Sequence, residues 1–357
     1  MDGQVWKSAA HGGPDAPGTL VDLAALGDPE AFAGLLRAPA ATRGELLDDA
    51  LDKDMRPLVA QALHVCDSGS TEEILLALKV LDAVAIAEEC PELLPDTVRV
   101  LTGLCRPDQD VEVLAAALPL YGAHVPGPSA AQVLLAMSGH PDSRVRAGAV
   151  DGIEYFTDEG TFPPATMDLA ERLARMLAED PDAQVRLAVA EAFGMMENWA
   201  GFQVGWVHHM VAALARAVGV DQDPAVRRAA AKNLAQTWQA ARPEAAEALR
   251  PYIGDGDPYV AAWALARLAC LGDPAALDRL WTVLAAPDVH REYLSAATEL
   301  FVSYRGDASR RDRRRLRGEL KRLRKQGWAN APTDEPNWSP QARDDYLKIL
   351  ISRLSPW

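Results

Sequence analysis

The stretch DPDAQVRLAVAEAF, residues 180–193, decides the fold. Asp182 stands three residues before Val185, and an Ala-rich pattern follows. The same spacing occurs five times, as Asp108/Val111, Asp142/Val145, Asp182/Val185, Asp223/Val226 and Asp257/Val260. Successive Val residues are 34, 40, 41 and 34 positions apart. A period of that size marks a helical solenoid, in which each repeat buries its apolar face against its neighbours.

Each part of the unit has a physical task. An Asp at the N-cap accepts a hydrogen bond from a first-turn N–H and suits the positive end of the helix. Pro224 and Pro258 follow at the first helical position, where a missing N–H costs nothing. Pro107, Pro141 and Pro181 sit one residue before the Asp and stiffen the turn. Thr71 reads as a further cap, so the series starts near 70. Four residues past the Val stand Ala115, Ala149, Val189, Ala230 and Ala264. Eight past it stand Ile153, Phe193, Leu234 and Leu268, while Pro119 breaks the rule in the first copy. Spacing of 0, 4 and 8 places one apolar stripe on one side of a helix. Small residues within it let two helices approach closely.

The segments His140–Arg146, Asp180–Arg186 and Asp223–Arg227 resemble the Asp-Pro-x-x-Val-Arg turn of HEAT repeats. The variety they resemble is the bacterial one related to phycobilisome-lyase repeats. The run LGDPAAL at 271–277 resembles the link into the first helix of such a repeat. The likeness covers positions 70–300. It implies an all-α fold, a right-handed superhelical αα-solenoid of about seven repeats. It also implies a binding scaffold whose Val-Arg helices line a concave face. An Arg-to-Asp ladder between turns would run through Arg146, Arg186 and Arg227. Glu112 and Ala261 interrupt it at the two ends.

Composition narrows the class. The chain has 357 residues, 49% of them hydrophobic and only 6% aromatic, as expected where Ala and Leu do the packing. Residues 1–18 are rich in Gly and Pro and carry no signal-peptide pattern. No run approaches the roughly 20 apolar residues of a membrane span. The four Cys, at 66, 90, 105 and 270, have neither metal-knuckle nor disulfide-framework spacing. They read as reduced, buried thiols of a cytoplasmic protein. Arg outnumbers Lys 29 to 7, the bias of a GC-rich bacterial genome. The net charge is −15, yet residues 310–325 hold ten Arg and Lys against Asp312 and Glu319. That window is +8 and the rest −23, so the body disfavours nucleic acid and membranes and favours basic partners.

The expected organisation is a disordered tail at 1–18 and a solenoid over 19–305, with 19–70 as an irregular N-terminal cap. A C-terminal cap over 306–357 contains the basic helix and a folded-back tail. Leu316, Leu320 and Leu323 give the basic helix an apolar seam. Its other face reads either as a polar end cap or as a surface for phosphates, RNA or an acidic partner. An apolar ridge of Ala262, Leu265, Ala266 and Ala269 is expected to be covered by residues 328–357 folding back, or else to pack on its neighbours through a rotated helix, leaving the tail to a dimer contact.

Function is less legible. The two longer intervals place additional residues at 154–164 and 195–205, at one edge of the array. Insertions in repeat arrays are frequent binding sites. The first holds Glu154, Tyr155, Phe156 and Phe162; the second holds Glu197, Trp199 and Phe202, with Trp206 just beyond. These aromatics serve either as partner anchors or as covers for their own core. At 100° per residue, positions 2, 5, 6 and 9 past the Val are expected to face the groove. Its polar members are Asp151, Glu154, Glu191, Arg228 and Lys232. They read as partner-binding groups or as inter-repeat ion pairs. No cofactor, metal site or catalytic set is expected. His208 and His209 are adjacent and point to different sides of a helix, whereas metal sites favour spacing of four. The first reading is a non-enzymatic protein- or peptide-binding adaptor. The alternatives are an auxiliary lyase or maturation factor holding a substrate in the groove, and nucleic-acid binding through 310–325.

Overall fold

The computed structural model describes residues 55–84, 86–125, 127–154, 166–195, 204–237, 241–303, 307–331 and 338–354, together with Gly34. The expected tail at 1–18, the cap residues up to 54 apart from Gly34, and Tyr155, Phe156, Phe162, Glu197, Trp199 and Phe202 lie outside them. Among the described residues the fold is all-α, without a strand. The contacts divide the chain into two units, 1–165 and 166–357.

In the first unit the helices are α1 (Arg56–Ser68), α2 (Thr71–Asp82), α3 (Ile86–Glu89), α4 (Leu94–Leu104), α5 (Val111–His124), α6 (Pro128–Met137) and α7 (Ser143–Glu154). Helices α2, α5 and α7 pack side by side as one layer, while α1 and α4 pack together in the other. The α5–α7 contact is backbone to backbone. A Cβ on Gly122 would stand 1.9 Å from the Gly152 carbonyl oxygen, and one on Gly152 would stand 2.4 Å from that of Leu118. Any side chain at these positions would push the helices apart.

Two caps differ from the sequence expectation. The N-cap of α5 is Asp110, not Asp108, and it accepts from the N–H groups of Glu112 and Val113. Counted from Val113, the 4 and 8 positions become Ala117 and Tyr121, both buried. Pro119 therefore falls outside the stripe, and the apparent break in the first copy is a two-residue error of register. The cap of α2 is Ser70 rather than Thr71, in a capping box with Glu73.

The second unit contains α8 (Thr166–Glu179), α9 (Ala183–Met195), α10 (Val204–Val220), α11 (Pro224–Gln236), α12 (Arg242–Leu249), α13 (Pro258–Cys270), α14 (Pro274–Ala285), α15 (Arg291–Ser303), α16 (Arg310–Lys325) and α17 (Pro340–Arg353). Helices α8 and α9, α10 and α11, α12 and α13, and α14 and α15 form pairs. The second members, α9, α11, α13 and α15, follow one another in a layer. Caps fall where the Asp-Val spacing places them. Asp182, Asp223 and Asp257 each accept from backbone N–H groups of the following turn. The stripe Val226, Ala230, Leu234 is buried, and so is Val260, Ala264, Leu268.

Helix α16 packs its seam of Leu316, Leu320 and Leu323 inward, against α15 and α17. Helix α17 also contacts α15. The Trp328 indole N–H donates to the Val289 carbonyl, and the Arg343 guanidinium lies 4.6 Å from the Trp328 ring. All four cysteines are buried, and none of them forms a disulfide. Burial pushes the thiols of Cys66 and Cys105 up to about 12, which makes them poor nucleophiles.

Candidate functional site

The inter-repeat turns set the positions of the second helices. In the second unit these turns read Asp-x-Asp, and the two carboxylates divide the work. The second Asp caps the helix. The first, Asp180, Asp221 or Asp255, accepts the backbone N–H of the second. Asp221 and Asp255 also receive the Arg of the preceding repeat. Arg186 makes a forked pair with Asp221, Nε at 2.8 Å and Nη2 at 3.0 Å, and Arg227 reaches Asp255 at 2.8 Å. Burial alone would raise the Asp221 carboxyl, but Arg186 and the Asp223 N–H hold it below the ordinary carboxylate range. His140 and His290 take the place of the first Asp elsewhere, each accepting a backbone N–H at Nδ1. The Asp-x-Asp spacing was visible in the sequence; only the second Asp had been assigned a role. Arg146 donates to the carbonyls of His140 and Pro141 in its own turn.

The groove assignment needs correction. Most residues at positions 5 and 9 past the Val do not face solvent: Val150, Ala190, Ala231, Leu265, Ala235 and Ala269 are all buried, while Gly194 is half-buried. A second helix touches its own first helix and the second helices on either side, so only a narrow face stays open. That face is made by positions 2 and 6. It presents Leu187 and Glu191 on α9, and Arg228 and Lys232 on α11. In α13 even these positions are covered, because Ala262 and Ala266 have no exposure. The apolar ridge is thus buried, and of the two expectations the one in which it packs on its neighbours holds. It is enclosed by the packing of α13 with α11, α12, α14 and α15.

Along the open face, cations and aromatic rings alternate. The Arg228 guanidinium sits 4.4 Å from the Tyr259 ring centroid and pairs with Asp257 at 2.7 Å. Tyr259 in turn meets the His290 ring edge-on at 5.2 Å. One turn along, the Lys232 ammonium lies 6.0 Å from the Trp263 ring, and the Trp263 indole donates to Glu292 at 2.7 Å. The row therefore joins α11 to the turns preceding α13 and α15. Cation–π contacts of this kind add modest attraction and orient long side chains.

Of the residues singled out in the sequence, Glu191, Arg228 and Lys232 are exposed within the second unit. Asp151 is half-buried on α7 in the first unit, and Glu154 ends that helix. Tyr259, Trp263 and His290 were missed, because they belong to the N-terminal turns and not to the 2 and 6 positions. His208 and His209 are both exposed on α10, and His208 contacts Glu244. Beside the Arg186–Asp221 pair is a cleft of about 350 Å³, lined by Asp180, Arg186, Arg216, Val220 and Asp221 among others. Among the described residues no three His, Cys, Asp or Glu converge as a metal site. None of the described helices is long and apolar enough to cross a membrane.

The comparisons agree with this architecture. The family described as HEAT repeats matches residues 209–300. No curated protein matches the sequence significantly. Among solved structures, Kap121p bound to Pho4p aligns with a TM-score of 0.53 at 14% identity, over 98% of this chain and 41% of that one. Kap121p bound to the extreme C-terminus of the protein phosphatase Cdc14p gives 0.52 at 15%, over 94% and 37%. A Kap95p structure concerning the switch loops of RanGDP gives 0.50 at 14%, over 98% and 52%. The chain spans from about two fifths to about half the length of these karyopherins. At such identities the likeness concerns the fold alone: this chain is built on HEAT-type helical repeats.

Proposed function

We propose that the protein is a non-enzymatic scaffold that holds a protein or peptide partner on the open face of its second helices. The observation that carries this reading is the exposed row of Glu191, Arg228 and Lys232, backed by Tyr259 and Trp263. Aromatic and Arg groups with charged neighbours are the composition of energetic anchor sites. Asp151 and Glu154 of the first unit, and the loop residues Tyr155, Phe156, Trp199 and Phe202 outside the described residues, are proposed as partner-binding groups in their own right. The karyopherin structures described as bound to Pho4p and to the Cdc14p C-terminus support protein binding on this architecture. The −23 charge outside the basic helix favours a basic partner, and the Arg-rich, thiol-reduced composition fits a bacterial cytoplasm.

The test has two steps. Proteins retained by the full chain from its native host are identified by mass spectrometry. The purified candidate is then titrated calorimetrically against wild type and E191K/K232E. Binding weakened at least about tenfold, with unchanged helicity, supports the reading. Equal affinity for both forms places the partner elsewhere and overturns it.

A further inference from the structure

We infer that the outer face of α16 is a second docking surface, one that takes an acidic peptide segment. It is separate from the open face of α11 and stands whether or not that face binds a partner. The seam of Leu316, Leu320 and Leu323 fixes the rotation of the helix. At 100° per residue Arg310, Arg314, Gly318, Lys321 and Lys325 then fall on the opposite side, and all five are exposed.

Eight of the ten cations of this helix fall into two sets. Arg313 donates to the Ala308 carbonyl, and Arg315 stacks over Trp281 at 4.5 Å. Arg322 bonds Glu319 and the Leu284 carbonyl, and Arg324 pairs with Asp344. These four hold the helix in place. Arg310, Arg314, Lys321 and Lys325 form no ion pair among the described residues, so their charge faces solvent uncompensated. Gly318 lies in their midst. A Cβ there would meet nothing within 4 Å, so packing does not require a glycine that weakens the helix. What the missing side chain provides is a low point in the stripe where a ligand backbone can approach.

The spacing names the ligand. Cations four residues apart on a helix are separated by about 6 Å. Alternate residues of an extended peptide are separated by about 6.6 Å. Acids two positions apart therefore match each pair, Arg310/Arg314 and Lys321/Lys325, and the about 10.5 Å between Arg314 and Lys321 matches a step of three residues, so the segment reads acid-x-acid-x-x-acid-x-acid. Nucleic acid matches it less well. Base stacking needs exposed aromatic platforms, whereas Trp281 and Trp328 beside the helix are buried. A polyanion longer than the stripe would also meet the −23 of the remaining chain.

The experiment uses the full chain and a fluorescent peptide of the pattern Glu-Ser-Glu-Ser-Ser-Glu-Ser-Glu, whose extended length of about 23 Å matches the stripe. Anisotropy is read at low and at physiological salt, beside a single-stranded and a duplex oligonucleotide of similar charge. The expected result is salt-sensitive peptide binding that R314E/K321E weakens at least about tenfold. G318Q should weaken it by a smaller factor, and the melting temperature of both variants should stay near that of wild type. An oligonucleotide bound more tightly than the peptide would overturn the proposal in favour of a phosphate-backbone surface. Peptide affinity unchanged in R314E/K321E, or no peptide binding even at low salt, would overturn it outright.

Discussion

In α11 and α13 the chain writes Asp-Pro, then Val, Ala and Leu at the same spacing, and both helices run 13 residues. Both Asp side chains accept from the first turn. Yet α11 exposes Arg228 and Lys232, while α13 buries every residue from Val260 to Cys270. Even Arg267 is fully enclosed, with one guanidinium nitrogen donating to the Thr237 carbonyl and another 3.6 Å from Asp307. A helix apolar all round belongs in the interior. The repeat signature therefore specifies where a helix begins and which stripe meets its partner. It leaves open whether the remaining face is surface or core.

The sharpest way to break this contrast is to place the same charge on the two helices at equivalent positions. Ala266→Glu introduces an unpaired carboxylate into a site without exposure and should destabilise by more than about 3 kcal/mol. Lys232→Glu, at the corresponding position of α11, should stay within about 0.5 kcal/mol of wild type. Urea denaturation of both variants gives the comparison. Similar midpoints would mean that α13 is not enclosed.

A smaller loss is expected from Asp307→Ala. Asp307 pairs with Arg242 at 2.7 Å and lies near the buried Arg267, so its removal leaves enclosed positive charge. The expected loss is roughly 2–4 kcal/mol, because the charge that remains has no route to water. Arg242→Met in the Asp307→Ala background should recover part of it. No recovery in that double variant would show that the cost lies in packing.

The smallest effect concerns the turn shared by α9 and α11. The Asp221 carboxyl titrates below its unfolded value, so its stabilisation is fully present above the ordinary carboxylate range. That contribution disappears as pH falls through the lowered folded-state value. Asp221→Asn should therefore be less stable than wild type at neutral pH, by roughly 1–2 kcal/mol for a mostly buried, hydrogen-bonded pair. The gap should close as pH drops below about 4. A gap that is constant with pH would assign the loss to geometry rather than charge.

Much of the fold was legible because its signals are local. Asp182, Asp223 and Asp257 cap helices through their own backbone neighbours, and a stripe at 0, 4 and 8 needs only helical geometry. The misreading of Asp108 for Asp110 shows the limit of that logic. Asp108 satisfied the spacing as well as Asp110 does, and the choice depended on which register brought Ala117 and Tyr121 into the core. The candidate site was less legible for the same reason. Glu191, Arg228 and Lys232 follow from periodicity, but the rings of Tyr259 and Trp263 reach Arg228 and Lys232 from 31 positions along the chain, and His290 meets Tyr259 from a further 31.

By itself, then, the sequence determined the all-α class, the repeat period, and the capping residues and inward stripes of α9, α11 and α13. Hydrogen bonds within a turn and side-chain periodicity depend only on residues a few positions apart. Only the tertiary structure decided which second helix keeps an open face and which is enclosed. It also decided that Asp221 and Asp255 bridge repeats, and which cations of α16 are tied down. Each of these depends on what a neighbouring helix places opposite, and one chain's periodicity does not carry that information.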